Sequence, residues 1–526
     1  MDKRRHETSL PARTAGGLDD RLRGATTLRR VLNKVFPDHW SFLLGEIALY
    51  AFVVLLLTGT YLALFFDPSM EEVVYDGAYT PLRGIDMSRA YESALELSFE
   101  VRGGLFMRQM HHWSALLFMA AIVLHMLRVF FTGAFRKPRE LTWIVGSLMF
   151  WLGFLAGFTG YSLPDDGLSG TGLRIAHAIM LSIPVIGSWV AGSLFGGEFP
   201  GTSILSIFFI AHVLLIPGTL VALITVHLGL LVKQKHTQFP GPGRTEHNVV
   251  GVRMFPGFAL KSGGFFLFVF ATIALLGGLF QINPIWIFGP YQASVVSAAS
   301  QPDWYVMFLD GSTRLFPPWE IRVLGYTVPP LFWPTVVLPG VLATVHALYP
   351  IIDRRFTKDQ RAHHLLQRPR DAPARTGLGA MAVSFYLVLT LSGANDVIAE
   401  KFHISLNAMT WAGRIGLLVV PPLGYYVAYR IALALQQHDR EVLAHGVETG
   451  IIRRLPDGGF VEVHQPLGPA GDGRLEYVGT PVPKKLNRVG ALLPTVKGFF
   501  YPIERPAPPA QLSEAPAREE VRTGGS

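Results

Sequence analysis

Two apolar runs decide the fold of this chain: MHHWSALLFMAAIVLHMLRVFF, residues 110–131, and ILSIFFIAHVLLIPGTLVALITVHLGLLV, residues 204–232. An α-helix turns about 100° and rises about 1.5 Å per residue, so residues 14 or 15 positions apart lie on nearly one face, about 21 Å from each other. Each run has two histidines at this spacing: His111 and His125 in the first, His212 and His227 in the second. Each helix therefore presents one imidazole near each side of a membrane.

Pairing of the two helices would create two bis-histidine sites stacked across the membrane. A haem iron with two axial imidazoles has no open coordination position, which favours electron transfer over oxygen binding. The spacing therefore predicts two non-covalent b-type haems, one on His111 and His212, the other on His125 and His227. A single histidine in a membrane helix more often serves in interhelical hydrogen bonding or in a proton path. Two matched pairs are harder to explain in that way.

Residues near the histidines agree with haem binding. Arg108 and Arg128 each lie one helical turn outside a histidine, where a haem propionate needs a cation, although arginines at helix ends also commonly extend to the membrane interface. Four glycines repeat the 14-residue spacing and would let porphyrin edges approach bare backbone. Ordinary small-residue helix packing is the alternative. These glycines are Gly45, Gly59, Gly146 and Gly160.

The composition indicates an integral membrane protein, because 50% of the 526 residues are hydrophobic and only 16% are charged. Cysteine is absent, which excludes disulfides, covalent c-type haem attachment and cysteine-ligated iron–sulfur clusters within this chain. Any such centre must lie on a partner. The net charge of +8 follows from basic membrane-flanking loops and indicates no nucleic-acid partner.

Eight apolar stretches are long enough, or nearly so, to cross the hydrocarbon core, and we predict an all-α membrane fold whose first four spans form a dihaem four-helix bundle. The last stretch contains Arg414 and should bend at Pro421-Pro422. The shorter run 178–190, interrupted by Pro184, predicts a surface-lying or hairpin helix pair. The predicted spans are 44–66, 109–131, 141–162, 203–232, 262–282, 329–350, 378–396 and 408–436.

Charge fixes the predicted orientation. With a cytoplasmic N-terminus, 37 of the 46 Lys and Arg fall in cytoplasmic segments, as the positive-inside rule requires. We therefore predict a multi-pass protein of the bacterial cell membrane with both termini in the cytoplasm. His111 and His212 then share the outer level of the membrane, and His125 and His227 share the inner level.

Four regions follow along the chain. Residues 1–40 form a basic cytoplasmic arm, 41–240 the dihaem bundle, 241–437 a four-helix C-terminal membrane part, and 438–526 a partly disordered cytoplasmic tail. Within the tail, Ile451-Ile452 and Phe460-Val461 could pair as a hairpin through Asp457-Gly458-Gly459. The last twenty residues have a disordered composition.

Residues 35–435 resemble cytochrome b, the membrane core of quinol:cytochrome c oxidoreductases. The resemblance rests on the histidines and glycines, on Gly160-Tyr161-Ser162-Leu163-Pro164, and on Pro302-Asp303-Trp304-Tyr305, which is similar to the family's Pro-Glu-Trp-Tyr motif. Three features look like the actinobacterial branch of this family. They are the 15-residue spacing of His212 and His227, the aspartate at position 303, and Asp165-Asp166. That branch implies menaquinol as substrate, a Rieske subunit, a dihaem cytochrome c, a supercomplex with a cytochrome oxidase, and a homodimer.

The outer quinol-oxidising site implied by this resemblance needs a proton acceptor. Asp303 is the candidate base and Tyr305 a hydrogen-bonding or relay partner, with Pro302 and Trp304 as binding residues. Alternatively, Pro302-Asp303 merely starts a turn or caps a helix. We expect the pocket to be shaped by Gly160, Pro164, Met307 and Phe308.

An inner quinone-reducing site should lie near the second haem. Lys261 matches a family lysine that helps supply protons, but it serves equally well as a positive-inside anchor. The family aspartate that follows this lysine is Ser262 here. Nearby polar alternatives are Asp38, His39 and His236.

The sequence thus predicts a proton-translocating quinol–cytochrome c reductase subunit working by a bifurcated Q cycle. Quinol gives one electron to a partner Rieske centre and the other, through two b haems, to inner quinone. Two alternatives stay open: a dihaem, quinone-reactive membrane anchor of a dehydrogenase, and a haem-free proton-coupled transporter. The first leaves the Pro-Asp-Trp-Tyr segment unexplained, and the second leaves the histidine spacing unexplained.

Overall fold

The computed structural model describes residues 28, 29, 31–241, 243–295 and 301–465. Most of the predicted basic arm and the whole of the last twenty residues, predicted to be disordered, lie outside the described residues. The chain divides into two compact units, Met1–Val442 and Leu443–Ser526. The first unit contains the membrane helices.

Eight helical spans in the described residues are long and apolar enough to cross a membrane, which confirms the predicted number. Two of them contain a π-helical turn, Ala211–Leu215 within the span Ile204–Gln234 and Trp333–Val337 at the start of the span Trp333–Thr357, whereas Met254–Phe258 is interrupted by extended backbone at Phe255. The spans are Trp40–Ala63, Gly104–Phe131, Glu140–Tyr161, Ile204–Gln234, Met254–Leu279, Trp333–Thr357, Pro373–Gly393 and Leu406–Val442. In chain order the α-helices are α1 (Leu43–Ala63), α2 (Arg89–Phe99), α3 (Gly104–Phe131), α4 (Glu140–Tyr161), α5 (Gly167–Leu181), α6 (Gly187–Phe195), α7 (Ile204–Ile210), α8 (Ile216–Gln234), α9 (Ala259–Leu279), α10 (Ile285–Phe288), α11 (Met307–Leu315), α12 (Leu338–Thr357), α13 (Pro373–Gly393), α14 (Asn395–Phe402) and α15 (Leu406–His445).

The last span differs most from its prediction. α15 is one helix of 40 residues that contains Pro421 and Pro422 and continues nine positions beyond the predicted end at 436. Proline removes a single backbone hydrogen bond at each position, and neighbouring helices make such a loss tolerable at membrane depth. Arg414 donates from Nε to the Leu315 carbonyl oxygen at 2.9 Å, so it is held by the end of α11.

The first four spans form a bundle of two helix pairs. α1 packs along α3, and α4 packs along α8; contacts of α3 with α4 and of α1 with the π-helical turn close the ring. Between the two histidine levels the bundle is filled by apolar side chains, including Phe52 and Phe118, whose ring centroids are 5.6 Å apart. This packing keeps the two levels separate.

The remaining spans surround this bundle. α9 packs on α1 and α3, α12 packs on α4, and α13 packs on α11 and α3. α15 lies against α13, where Gly377 faces the Tyr425 ring and Gly424 faces Ser384. The segment between α9 and α12 is therefore held against the histidine bundle by α11.

The short apolar run around Pro184 forms the helix pair α5 and α6, as predicted. Asp166 caps the start of α5 by accepting a hydrogen bond from the Ser169 backbone N–H at 3.1 Å. α10 packs against α5. This pair covers the end of the bundle nearest His111 and His212, because α5 follows directly from the end of α4.

Four two-stranded antiparallel pairs complete the described residues: β1 with β4, β2 with β3, β5 with β6, and β7 with β8. The last pair, in the second unit, is the predicted hairpin, with Ile452 opposite Glu462. The bounds are β1 (Val35–Phe36), β2 (Glu72–Val74), β3 (Asp86–Ser88), β4 (Val252–Arg253), β5 (Ile321–Val323), β6 (Tyr326–Val328), β7 (Val447–Arg454) and β8 (Phe460–Gln465).

The close crossing of α11 and α13 gives a test of the fold. A Cβ atom at Gly311 would lie 1.8 Å from the Leu389 carbonyl oxygen, whereas one at Gly340, in α12, would meet nothing within 4 Å. We expect Gly311→Ala to lower the free energy of unfolding by about 1–3 kcal/mol through overpacking. Gly340→Ala should raise it by up to about 1 kcal/mol. Thermal unfolding in detergent measures both, and equal midpoints would contradict the crossing.

Candidate functional site

His111 of α3 and His212 of the π-helical turn face each other across the bundle. Their ring centroids are 6.1 Å apart, and the rings are inclined at 71°. His111 Nδ1 bonds to Thr58 Oγ1 at 2.9 Å, and His212 Nδ1 donates to the Ala156 carbonyl oxygen at 2.9 Å. The Thr58 hydroxyl already donates to the Val54 carbonyl oxygen, so it accepts from His111. Both imidazoles therefore keep the lone pair of Nε2 for another partner.

The separation of these rings suits a metal ion between them. Two imidazole–metal bonds of about 2 Å each, added to the radii of the two rings, come close to the observed distance. A bond from the other ring nitrogen to the protein is the usual way in which a metal-ligating histidine is oriented. The donor set fits a bis-imidazole iron.

The second pair lies at the other end of the same helices. His125 and His227 are partly buried and lie within electrostatic range of each other. The Nδ1 atom of His125 is buried without a hydrogen-bond partner among the described residues. The structure thus brings the four histidines together in the two predicted pairs.

Each of the four predicted glycines faces one of these histidines from the neighbouring helix. The ideal Cβ position at Gly160 would lie only 2.3 Å from Cε1 of its histidine, so any side chain there would displace the ring. The corresponding distances are longer at the other three. From Cβ to Cε1 they are 3.1 Å for Gly59 and His111, 3.2 Å for Gly45 and His125, and 3.6 Å for Gly146 and His227. Bare backbone therefore sets the space around the imidazoles.

The two predicted arginines are partly buried, and each has a buried N–H group without a hydrogen-bond partner among the described residues. Arg108 donates from Nη2 to the Asn283 carbonyl oxygen at 3.1 Å, and its Nε is unpaired. The Arg128 guanidinium lies 4.2 Å from the centre of the Phe42 ring, and its Nη2 is unpaired. Unpaired cationic donors beside each histidine level suit an anionic group such as a propionate.

A cavity extends from the first histidine pair to the Pro-Asp-Trp-Tyr segment. Its lining is mostly apolar and includes Asp303, Tyr305, Gly160 and Pro164. Met307 and Phe308 do not line it, contrary to expectation, because α11 begins there and turns Phe308 towards Phe154 and Tyr386. The cavity resembles a small-molecule site: apolar walls with a few convergent polar groups.

Asp303 forms the polar centre of this cavity. His112 Nε2 lies 3.1 Å from Asp303 Oδ1, and the Tyr305 hydroxyl donates to Asp303 Oδ2 at 3.2 Å. The Asp303 carboxylate caps no helix, since both of its partners are side chains, but the Asp303 carbonyl oxygen accepts from the Val306 backbone N–H at 2.8 Å, so the segment also begins a turn, as the alternative predicted. Burial, together with the Asp303 carboxylate, raises the pKa of Tyr305 well above its usual value, so Tyr305 stays a hydrogen-bond donor.

Two residues of this cluster were missed by the sequence analysis. His112 follows His111 directly and therefore points about 100° away from the first histidine pair, towards Asp303. Gly157 makes room for Tyr305, because a Cβ atom there would lie 2.1 Å from the tyrosine hydroxyl. The adjacent pair of histidines was the available signal; nothing local distinguishes Gly157 from other glycines.

At the other end of the bundle, Lys261 and Asp38 form an ion pair, with each side chain about half exposed. His39 Nδ1 accepts from the Ser41 backbone N–H at 3.2 Å, and His236 is buried against Phe36. Burial, aided by nearby Arg128, lowers the pKa of His39 to about 4. Burial, aided by Lys34, also lowers the pKa of His236 to about 4. Both imidazoles are neutral at physiological pH.

Comparison with known proteins identifies the family. The family model described as cytochrome b (N-terminal)/b6/petB matches residues 116–290. The cytochrome bc1 complex cytochrome b subunit of Mycobacterium tuberculosis is 56% identical over 97% of this chain and 94% of the relative. That of Corynebacterium diphtheriae is 58% identical over 93% and 92%, and that of Streptomyces coelicolor 50% over 86% and 84%. This chain belongs to the cytochrome b family.

Membership of the cytochrome b family implies haem cofactors, and the histidine pairs, glycines and unpaired arginine donors fit them. A chain of a hyperthermophilic respiratory Complex III has the same fold, with a TM-score of 0.57 and 22% identity, over 79% of this chain and 99% of that chain. The predicted resemblance, including its actinobacterial character, is confirmed by the relatives.

Asp165 and Asp166, which follow the Gly-Tyr-Ser-Leu-Pro segment of this cytochrome b, are both buried. The Ser88 hydroxyl donates to Asp165 Oδ2 at 2.7 Å. Burial, with a smaller contribution from Asp166, raises the pKa of Asp165 to about 7. The folded protein therefore holds a proton on Asp165 that the unfolded chain releases near pH 4.

This proton makes the stability fall as the pH rises from about 4 to about 7, since over that range only the unfolded chain ionises Asp165. Asp165→Asn removes the effect and suits the positive φ of 53°. We expect the variant to gain about 3 kcal/mol of stability relative to the unmodified protein between pH 4.5 and pH 8. Thermal unfolding at both pH values measures the gain. Asp86→Asn, at an exposed position of β3, is the control. An equal change in stability for both variants would contradict a buried neutral Asp165.

Proposed function

We propose that this chain is the cytochrome b subunit of a respiratory quinol:cytochrome c reductase of the bc1 type. The observation that carries the proposal is one bundle holding a facing histidine pair at each end, with a carboxylate-containing cavity opening onto one pair. The identity to bacterial bc1-complex cytochrome b subunits over nearly the whole chain supports it. The relatives give no support to a dehydrogenase anchor or a haem-free transporter.

Two b-type haems would be held by the four histidines, His111 with His212 and His125 with His227. Arg108 and Arg128 would bind propionates through their unpaired N–H groups. The glycines opposite the imidazoles leave space for the macrocycles at both levels. When bound, the haems supply one-electron transfer from the outer to the inner quinone site.

The outer site oxidises a quinol, which loses two protons and two electrons. Asp303 accepts a proton from a quinol hydroxyl, and His112 and Tyr305 hold its carboxylate at the cavity wall. Pro302 and Trp304 shape the approach to it. We infer menaquinol as the substrate from the actinobacterial relatives. At the inner site, near the Lys261–Asp38 pair, quinone takes up protons from the cytoplasm and is reduced, which completes a Q cycle.

The reaction requires partner subunits, since a chain without cysteine cannot hold an iron–sulfur cluster or a covalent haem. A Rieske subunit would take the other electron and pass it to a dihaem cytochrome c subunit, as the resemblance to the actinobacterial branch implies. A homodimer within a supercomplex with a cytochrome oxidase completes the proposed assembly. The proposed location is the bacterial cell membrane, with both termini in the cytoplasm.

Asp303→Asn tests the outer site. The amide has nearly the same shape, accepts a hydrogen bond through its carbonyl oxygen and can donate one from its NH2 group to the Tyr305 hydroxyl oxygen, but it cannot take up a proton. We expect quinol oxidation by the assembled complex to slow by about 100-fold or more, with both haems retained. Glu320→Gln, at an exposed position between α11 and β5, is the control. A steady-state rate for Asp303→Asn equal to that of the control would remove the role of Asp303.

His125→Ala tests the two-haem arrangement. The substitution removes one axial ligand at one level and leaves His111 and His212 untouched, so one b-type component should disappear from a reduced-minus-oxidised spectrum. His346→Ala, at a partly buried histidine of α12 outside both pairs, should retain both components. Retention of two components in His125→Ala would contradict the assignment.

A further inference from the structure

A carboxylate lies in the first turn of α1, at a position that the proposed chemistry has not used. Glu46 Oε2 accepts hydrogen bonds from the Tyr50 hydroxyl at 2.8 Å and from the Ser262 hydroxyl of α9 at 3.1 Å. The Tyr50 and Ser262 hydroxyls also contact each other, and Tyr50 reaches the Ser262 carbonyl oxygen at 3.1 Å. The three side chains join α1 to α9.

This cluster lies at the level of the second histidine pair. Gly45 faces the His125 ring, so Glu46, the next residue, lies at the same height on a face turned by about 100°. The aromatic rings of Phe265 and Phe266 pack around Tyr50, with centroid distances of 6.0 Å and 5.4 Å. A carboxyl group and two hydroxyls beside aromatic rings are the kind of lining that binds a flat, apolar carbonyl compound such as a quinone.

Solvent access is provided at the start of α9. Ser262 follows Lys261, whose ammonium group pairs with the Asp38 carboxylate at the half-exposed end of the bundle. The partly buried carboxylate of Glu46 is thus linked through neighbouring residues to groups that exchange protons with water. The half-exposed ion pair and the partly buried hydroxyl cluster thus lie at adjacent positions of α9, Lys261 and Ser262.

Helix packing alone does not explain a glutamate at this position. No Lys, Arg or His in the described part of the chain forms an ion pair with Glu46, so both of its hydrogen-bond donors are neutral hydroxyls. A threonine or glutamine would link the helices equally well without placing an ionisable group at membrane depth. Ionisable side chains inside a membrane are costly and mark sites of function.

We propose that Glu46 is the proton-donating residue of the inner quinone-reducing site, with the Tyr50 and Ser262 hydroxyls positioning its carboxyl group. The inference rests on the proposed function, which supplies the quinone and its two electrons. For each proton delivered, the O–H bond of the Glu46 carboxyl group breaks and an O–H bond forms on a quinone oxygen. The carboxylate then regains a proton from the cytoplasm at the end of the bundle that carries the half-exposed Lys261–Asp38 pair. Two such transfers and two electrons convert one quinone into one quinol.

The test measures the inner site by itself, in reverse. In the assembled complex, with the outer site blocked by a quinol-analogue inhibitor, added dimethylnaphthoquinol reduces haem b through the inner site only. Glu46→Gln should slow this reduction by about 100-fold, as loss of a general acid–base group does. Glu46→Asp should stay within tenfold of the unmodified rate. The control is Glu140→Gln. Glu140 lies in the first turn of α4, and its carboxylate pairs with Arg354 of α12. This substitution should have no effect on the inner-site rate.

A double variant separates proton transfer from packing. The Ser262 hydroxyl oxygen lies 3.1 Å from the Glu46 carboxylate, so Glu46→Gln combined with Ser262→Asp places a carboxyl group in the same cluster from the opposite helix. We expect the inner-site rate of this double variant to be at least tenfold higher than that of Glu46→Gln alone. If Glu46→Gln fails to assemble with haem, the double variant and Glu46→Asp decide by the same rates.

An unchanged rate in Glu46→Gln, or a slow rate that neither aspartate variant restores, would overturn the role of Glu46. The spectrum of the unmodified complex distinguishes this failure from a failure of the proposed function. Without b-type haem absorbance, or without its reduction by the quinol, the proposed function itself fails. With both present, the outcome concerns Glu46 alone.

Discussion

An imidazole at membrane depth that is bonded to the protein through one ring nitrogen needs a partner for the other, and this requirement organises the membrane bundle around the first histidine pair. In His111 and His212 the Nδ1 atoms are bonded to Thr58 and to the Ala156 carbonyl oxygen, so each Nε2 atom must find its partner between the two rings. That partner fixes the distance between α3 and the π-helical turn. The close pairing of α1 with α3 and of α4 with α8 places a glycine against each histidine. The rest of the fold is arranged around these two levels.

The proposed chemistry follows from what adjoins each level. Beside the first pair, a mostly apolar cavity contains a single carboxylate, Asp303, held by His112 and Tyr305. Beside the second pair, the Glu46 cluster joins α1 to α9 close to the half-exposed Lys261–Asp38 pair. Both ends therefore combine an electron-transfer position with a group able to exchange a proton. A quinol oxidised at one end and a quinone reduced at the other require that combination.

Local sequence patterns predicted the spans and the histidine pairs because both depend on periodicity within one helix. The contacts that complete the sites could not be predicted in this way. His112 meets Asp303 across 191 positions, and Glu46 meets Ser262 across 216. Met307 and Phe308 were wrongly expected in the cavity, since the start of α11 decides their direction. α15 is continuous through Pro421-Pro422, where a bend was expected, and its length could not be predicted from the local pattern.

The central claim is that this bundle holds two six-coordinate haems between paired imidazoles. The most direct measurement combines haem quantification per polypeptide with low-temperature electron paramagnetic resonance of the oxidised, unmodified complex. The account predicts two b-type haems per chain, both giving low-spin ferric signals, because every iron has two imidazole ligands and no open position. One haem per chain, or a high-spin ferric signal of matching intensity, would contradict it.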